Sequence, residues 1–130
     1  MTYQLHDYEI DSVVLENDSI IFSFPNGFYA TDENGRELIP IRKKLVFTID
    51  CSDTPLDSHI FIRRIRGSFT SWKEISFGQF SALFEEGPMV IYDEFDSKLT
   101  NRKMFQLNAN TRQSAIELFI EDIADVACLE

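Results

Sequence analysis

Apolar and polar residues alternate along much of the first half of the chain, and helical spacing takes over in two later stretches. Tyr8, Ile10 and Val14 fall on one face of an extended segment, with Asp7, Glu9 and Asp11 on the other. Asn17-Asp18 predicts a turn, after which Ile20, Phe22 and Phe24 alternate with Ile21 and Ser23. Asn26-Gly27 predicts a hairpin, because both residues tolerate positive φ, with Phe28 to Thr31 as its return strand. Asn34-Gly35 repeats the signal before Leu38 to Ile41. Pro40 has no N–H to give to a ladder and places that strand at an edge. Two further strands, Leu45 to Asp50 and His59 to Arg66, flank a loop rich in Ser, Asp, Thr and Pro, and they read as an antiparallel pair.

Helical spacing first appears after Ser76. Ser76 and Gln79 form a capping box, Ile75 and Phe80 a hydrophobic staple, and Phe77, Phe80, Leu83 and Phe84 one apolar face. Gly87 and Pro88 end that helix near residue 86. A strand follows, with Met89, Ile91 and Phe95 pointing one way and Val90 and Tyr92 the other. Next come a polar loop over 96–103 and a strand from Met104 to about Ala109. The tail from Thr111 has two readings. As a strand, Ile116, Leu118 and Ile120 alternate with Glu117 and Glu121, but Phe119 and Asp122 break the pattern. As a helix over 112–127, Ile116, Phe119, Ile120, Ile123, Val126 and Ala127 share a face throughout, so a helix is predicted. The expected fold is α+β: a curved, mostly antiparallel sheet or small sandwich of about seven to eight strands, with a short central helix and a longer C-terminal helix. Its predicted core is Ile10, Ile20, Phe22, Phe24, Phe47, Ile60, Phe80, Phe84, Ile91, Phe105, Ile116, Ile120 and Ile123.

Length and composition narrow the class. The 130 residues are expected to form a single domain over 1–130, large enough to bury a core without staples. Cys51 and Cys128 do not make a disulfide framework, and no apolar run reaches a membrane span. The first residues lack a basic segment followed by an apolar one, so the setting is expected to be cytoplasmic. The net charge is −10, unevenly spread. Residues 1–35 hold seven acids and residues 113–130 five, with no Lys or Arg in either, while all twelve basic side chains lie between Arg36 and Arg112. This lacks the basic footprint of a nucleic-acid binder and favours a basic protein partner, or pairing of acidic ends with a basic middle.

Candidate chemistry is sparse. The chain has no phosphate-binding glycine loop, nucleophile elbow or His-Glu-x-x-His motif, and no cofactor or metal is expected. His6-Asp7 is at most half of a metal site, with His59 the only other histidine. Cys51 and His59 flank one loop, which makes a thiol–imidazole pair conceivable, although a cysteine at a strand end is more often a small hydrophobe. Glu85, Glu86, Asp93, Glu94 and Asp96 offer carboxylates, but alternation along a strand splits them between faces. In the expected hairpin, Arg42, Lys43 and Lys44 meet Arg63, Arg64 and Arg66 and form a candidate anion site. On the predicted C-terminal helix, Glu117, Glu121, Asp122 and Asp125 form an uncompensated acidic stripe, a candidate docking surface for a basic partner. Trp72 is either a lid on the core edge or an exposed anchor for a partner.

These features lead to a non-catalytic, soluble protein-binding module that neutralises a basic partner, as a monomer or homodimer with neither nucleic acid nor membrane involved. In size and charge alone the chain resembles bacterial accessory or immunity-type proteins, and no motif transfers a site from them. Two alternatives stand beside this reading. One is a carrier of an apolar ligand in a pocket lined by Phe22, Phe24, Phe47, Phe61 and Phe105. The other is an enzyme using Cys51 and His59 or the acidic cluster.

Overall fold

A computed structural model describes residues 2–5, 8–31, 34–36, 42–65, 71–111 and 114–129. The strands, in chain order, are β1 (Thr2–Gln4), β2 (Glu9–Ile10), β3 (Ser12–Glu16), β4 (Ser19–Thr31), β5 (Arg42–Ile49), β6 (Ile60–Ile65), β7 (Lys73–Glu74), β8 (Met89–Ser97), β9 (Arg102–Thr111) and β10 (Ser114–Leu129). Between β7 and β8 lies α1 (Phe77–Leu83), extended by a 3-10 turn over Phe84–Glu86. All the strand pairings are antiparallel.

The longer C-terminal helix does not form, so the expected α+β class gives way to a mostly antiparallel sheet carrying one short helix. Residues 114–129 are instead the longest strand, β10, and it lies inside the sheet. Its first half pairs with β6 on one side and β9 on the other, and its second half pairs with β5. Ile116, Leu118 and Ile120 point into the core at 1% exposure or less, and Glu117, Phe119 and Glu121 between them point outward. A helix here would bare one edge each of β5, β6 and β9, and those unmet N–H and C=O groups outweigh the helical spacing of the side chains.

The pairings close into a ring. β3 joins β4, then β5, β10, β9 and β8 follow in order, and β8 pairs with β2, which Asp11 alone separates from β3. The Asp11 N–H donates to the Ser23 carbonyl at 3.1 Å, which keeps this corner on the ladder. The corner also advances the side-chain phase by one residue. Ile10 and Val13 are therefore buried, and Val14, expected on the same face as Ile10, is exposed.

Inside the ring Phe22, Phe47 and Phe105 pack in tilted pairs with centroids 4.6 and 4.5 Å apart, and Phe80 of α1 meets Phe22 edge-on at 6.4 Å. Burying each such side chain contributes about 1.5–3 kcal/mol. Every residue of the predicted core set is buried. The N-terminus of α1 is built as its sequence suggests: the Gln79 N–H donates to Ser76 Oγ at 3.2 Å, and the Ser76 N–H donates back to Gln79 Oε1 at 3.0 Å. Asp57 Oδ1 accepts from the Phe77 N–H and ties the helix start to the loop before β6.

Other expectations change with the topology. The Asn17-Asp18 turn joins β3 to β4 with Asn17 at φ 55°. Asn26-Gly27 makes no hairpin. β4 runs through it, and the positive φ of Gly27, 75°, lies within a shift of register between Ser23 and Phe28 against β5. A second bulge, between Ile91 and Asp93, turns Phe95 outward although Met89 and Ile91 are buried. Leu38 to Ile41, including Pro40, lies outside the described residues. Among the described residues no helix is long and apolar enough to cross a membrane.

Candidate functional site

Two features stand out on this frame, a polar cleft where β10 bends and an aromatic patch on the outer face of the sheet. The cleft follows from how β10 changes partners. Its pairing with β6 stops at Ile120 and its pairing with β5 starts at Ile123, leaving Glu121 and Asp122 between the two. Asp122 takes φ 56°, a left-handed conformation that Asp tolerates better than most residues. The resulting bulge is held by backbone bonds to both ends of the 50–59 loop: the Asp50 N–H donates to the Asp122 carbonyl at 2.8 Å, and the Glu121 N–H to the His59 carbonyl at 3.0 Å.

His59 sits beneath the bulge at 4% exposure. Its Nδ1 lies 2.9 Å from Asp122 Oδ2 and 3.9 Å from Glu121 Oε1, and its Nε2 lies 2.7 Å from Thr54 Oγ1. Because a carboxylate oxygen only accepts, Nδ1–H donates to Asp122. Nearby, Arg102 donates through Nε and one terminal nitrogen to Asp50 Oδ2, at 3.1 and 2.8 Å, while Ser52 donates to Asp50 Oδ1 from both its backbone N–H and its hydroxyl. The Ser52 bonds and then Arg102 hold the Asp50 carboxyl down at about 2, below its usual 3.8. Burial first, and then the negative charge of Asp122, pushes the Glu121 carboxyl up. The Asp50, His59, Arg102 and Asp122 side chains, with Ser52, Asp53, Thr54 and Thr100, line a cleft of about 230 Å³.

Thr54, His59 and Asp122 follow the order of a hydroxyl–imidazole–carboxylate relay, which can draw a proton from the hydroxyl. Acyl transfer also requires donors aimed at a developing oxyanion. Here the Ser52 N–H and the Arg102 guanidinium are already engaged by Asp50. The donor atoms of His59, Glu121 and Asp122 all lie within 4.8 Å of one another, close enough to share one cation.

The aromatic patch is built from outward-facing positions of β6, β8, β9 and β10 together with Trp72, which immediately precedes β7. Phe119, one of the residues that spoils the strand pattern of the tail, lies edge-on to Trp72 at 4.6 Å and 5.9 Å from Phe95. Trp72 is 36% exposed and Phe95 41%. The Arg63 guanidinium lies 4.6 Å from the Trp72 ring centre and is paired with Glu117, the residue directly across from it on β10. Phe61, Trp72, Met104, Phe119 and Glu121 line an open, mainly apolar groove of about 270 Å³.

The structure redistributes the residues singled out in the sequence. The acidic stripe is split: Glu117 pairs with Arg63, Asp122 with His59, Glu121 lines the groove with its Oε1 3.9 Å from His59 Nδ1, and Asp125 lies exposed beyond the bulge. The basic cluster also comes apart, because β5 and β6 do not pair with each other. Lys44 lies opposite Leu129 and Ile65 opposite Ala115, so the two basic groups flank opposite ends of β10. Lys43 and Lys44 are exposed, Arg42 and Arg64 are described in backbone only, and Arg66 lies outside the described residues, as does the His6-Asp7 pair. Burial, then Asp18 and Asp50, raises the Cys51 thiol, and both ring nitrogens of His59 are bonded elsewhere. Phe22, Phe24, Phe47 and Phe105 are interior residues at 1% exposure or less, whereas Phe61 belongs to the outer groove. Glu94 and Asp96 both pair with Lys103. The cleft escaped the sequence reading because Asp50, His59, Arg102 and Asp122 meet only through long-range pairing. Asp122 itself was visible as a break in the strand pattern.

No protein-family model, curated protein or solved structure matches this chain.

Proposed function

We propose that this chain is a non-catalytic protein-binding module, and that its partner is a basic protein which lays an aromatic or aliphatic side chain into the groove between Trp72 and Phe119. The observation behind this reading is the aromatic patch: Trp72, Phe95, Phe119 and Arg63, mutually packed on the solvent side of a sheet whose other face is filled with buried phenylalanines. Trp and Arg are the residue types that most often dominate binding interfaces. Rings already fixed by contact with one another lose little further freedom when a partner arrives. The net charge of −10 disfavours a second copy of the chain as occupant and attracts a basic one, with Glu121 at the groove rim available to a Lys or Arg beside the anchor. The neutralising role expected from an acidic helix thus moves to an apolar groove with an acidic rim.

The test is the complex isolated from the host and weighed intact by native mass spectrometry. The Trp72→Ala, Phe119→Ala double variant is expected to lose a basic partner held at fixed stoichiometry by wild type, with affinity down by about 30-fold or more and melting temperature little changed. The exposed β3 variant Val14→Ser should keep the complex. A complex that survives the double variant, or a homodimer in place of a heteromer, rules the reading out.

A further inference from the structure

We infer that His59, Glu121 and Asp122 form a binding site for a divalent transition-metal ion of the Zn²⁺ type, one that clamps the bulge of β10 onto the 50–59 loop. The geometry of the bulge carries this assignment; Glu121 is shared with the rim of the aromatic groove, and a zinc titration reads metal uptake, not partner binding.

Consecutive residues of a strand normally point to opposite faces, so Glu121 and Asp122 should not serve one ligand. The left-handed turn at Asp122, placed where β10 passes from β6 to β5, brings both carboxylates beside the same imidazole nitrogen. With metal bonds of about 2.0–2.2 Å, the donors of a tetrahedral centre stand roughly 3.3–3.5 Å apart. The separations from His59 Nδ1 to Asp122 and to Glu121, 2.9 and 3.9 Å, bracket that value, so rotamer-scale adjustments suffice. One imidazole nitrogen and two carboxylate oxygens are a donor set that zinc accepts, with a fourth position left for water.

The outer contact fits as well. A ligating histidine usually donates its second N–H to an oxygen that fixes ring orientation and tautomer. Thr54 Oγ1, 2.7 Å from Nε2, fills that role, because a hydroxyl accepts from Nε2–H when Nδ1 binds metal and donates to Nε2 when Nδ1 carries the proton. Without metal, two adjacent carboxylates share one imidazole, and the guanidinium that lines the cleft, Arg102, is committed to Asp50. A bound cation removes that imbalance.

The experiment is calorimetric titration of the full chain with Zn²⁺ alone at neutral pH, paired with melting curves. Wild type should take up one ion saturably and melt several degrees higher, an effect reversed by a chelator. Asp122→Asn and Glu121→Gln, both tolerable at part-exposed positions, should each weaken uptake by more than about tenfold and abolish the melting shift. His6→Ala and Val14→Ser should change neither. Co²⁺ in place of Zn²⁺ should give the intense visible bands of a four-coordinate centre in wild type and lose them in Asp122→Asn. Absence of saturable uptake, uptake unchanged in Asp122→Asn and Glu121→Gln, or uptake abolished by His6→Ala would each overturn the assignment.

Discussion

Two groups of aromatic rings occupy opposite faces of one sheet. Phe22, Phe47, Phe105 and Phe80 fill the interior of the ring, whereas Trp72, Phe119 and Phe95 cover part of its exterior. Their centroid separations are similar, 4.5–6.4 Å inside and 4.6–5.9 Å outside, so ring packing alone does not tell them apart. What differs is water. The interior rings are at 1% exposure or less, and the exterior ones keep more than a third of their surface where the exposure of Trp72 and Phe95 is concerned. Phe105 and Phe119 show the division at its sharpest. They lie on neighbouring strands, one position out of phase, so one points in and the other out. The same side chain thus fills the core at one position and, at the other, covers the outer face of the sheet.

The largest expected effect separates those roles. Phe47→Ala should cost about 3–5 kcal/mol in chemical denaturation, through lost burial and a residual cavity, whereas Phe119→Ala should cost less than about 1 kcal/mol. Equal losses at the two sites would erase the distinction between the groups. A smaller effect checks whether α1, which carries Phe80 into the interior group, depends on its N-terminal bonds. Ser76→Ala should cost about 1 kcal/mol, and Ser76→Asp should restore most of it. The smallest expected effect belongs to the half-buried latch of Asp50 and Arg102. The folded carboxyl titrates at about 2 against an ordinary 3.8, so its stabilising contribution is present above the ordinary value and is lost as pH falls towards 2. Asp50→Asn should therefore lower the melting temperature slightly near neutrality, with the difference from wild type vanishing between those two values. A difference that grows on acidification would contradict the assigned pairing.

Local signals in this chain were legible where structure is decided locally. The capping residues Ser76 and Gln79, the stop at Gly87 and the Asn17-Asp18 turn depend on neighbours within a few positions, and each formed as read. The core set was also legible, because burial follows apolar identity whichever element carries it. What failed was phase. The bulge at Asp122 lengthens one inward step of β10, from Ile120 to Ile123, from two residues to three, and outward Phe119 adds an apolar residue out of turn. Spacings of two and three around an added apolar residue imitate a helix. The basic cluster was misplaced for a related reason: β5 and β6 look like a hairpin until β10, far away in sequence, takes both as partners. Of the candidate sites, Trp72 was legible as far as its exposure, one of the two placements its sequence position allowed. The cleft was not, since its side chains converge only after the ring closes.

The insertion of β10 between β9 on one side and β5 and β6 on the other also orders events during synthesis. Until residues 114–129 have left the ribosome, β5, β6 and β9 hold open edges and no early strand can seal the interior. Most of the chain must therefore wait unsealed, with bare edges that chaperones recognise and other nascent chains can pair with. Completion then depends on contacts between residues far apart in sequence, the condition under which small domains fold slowly.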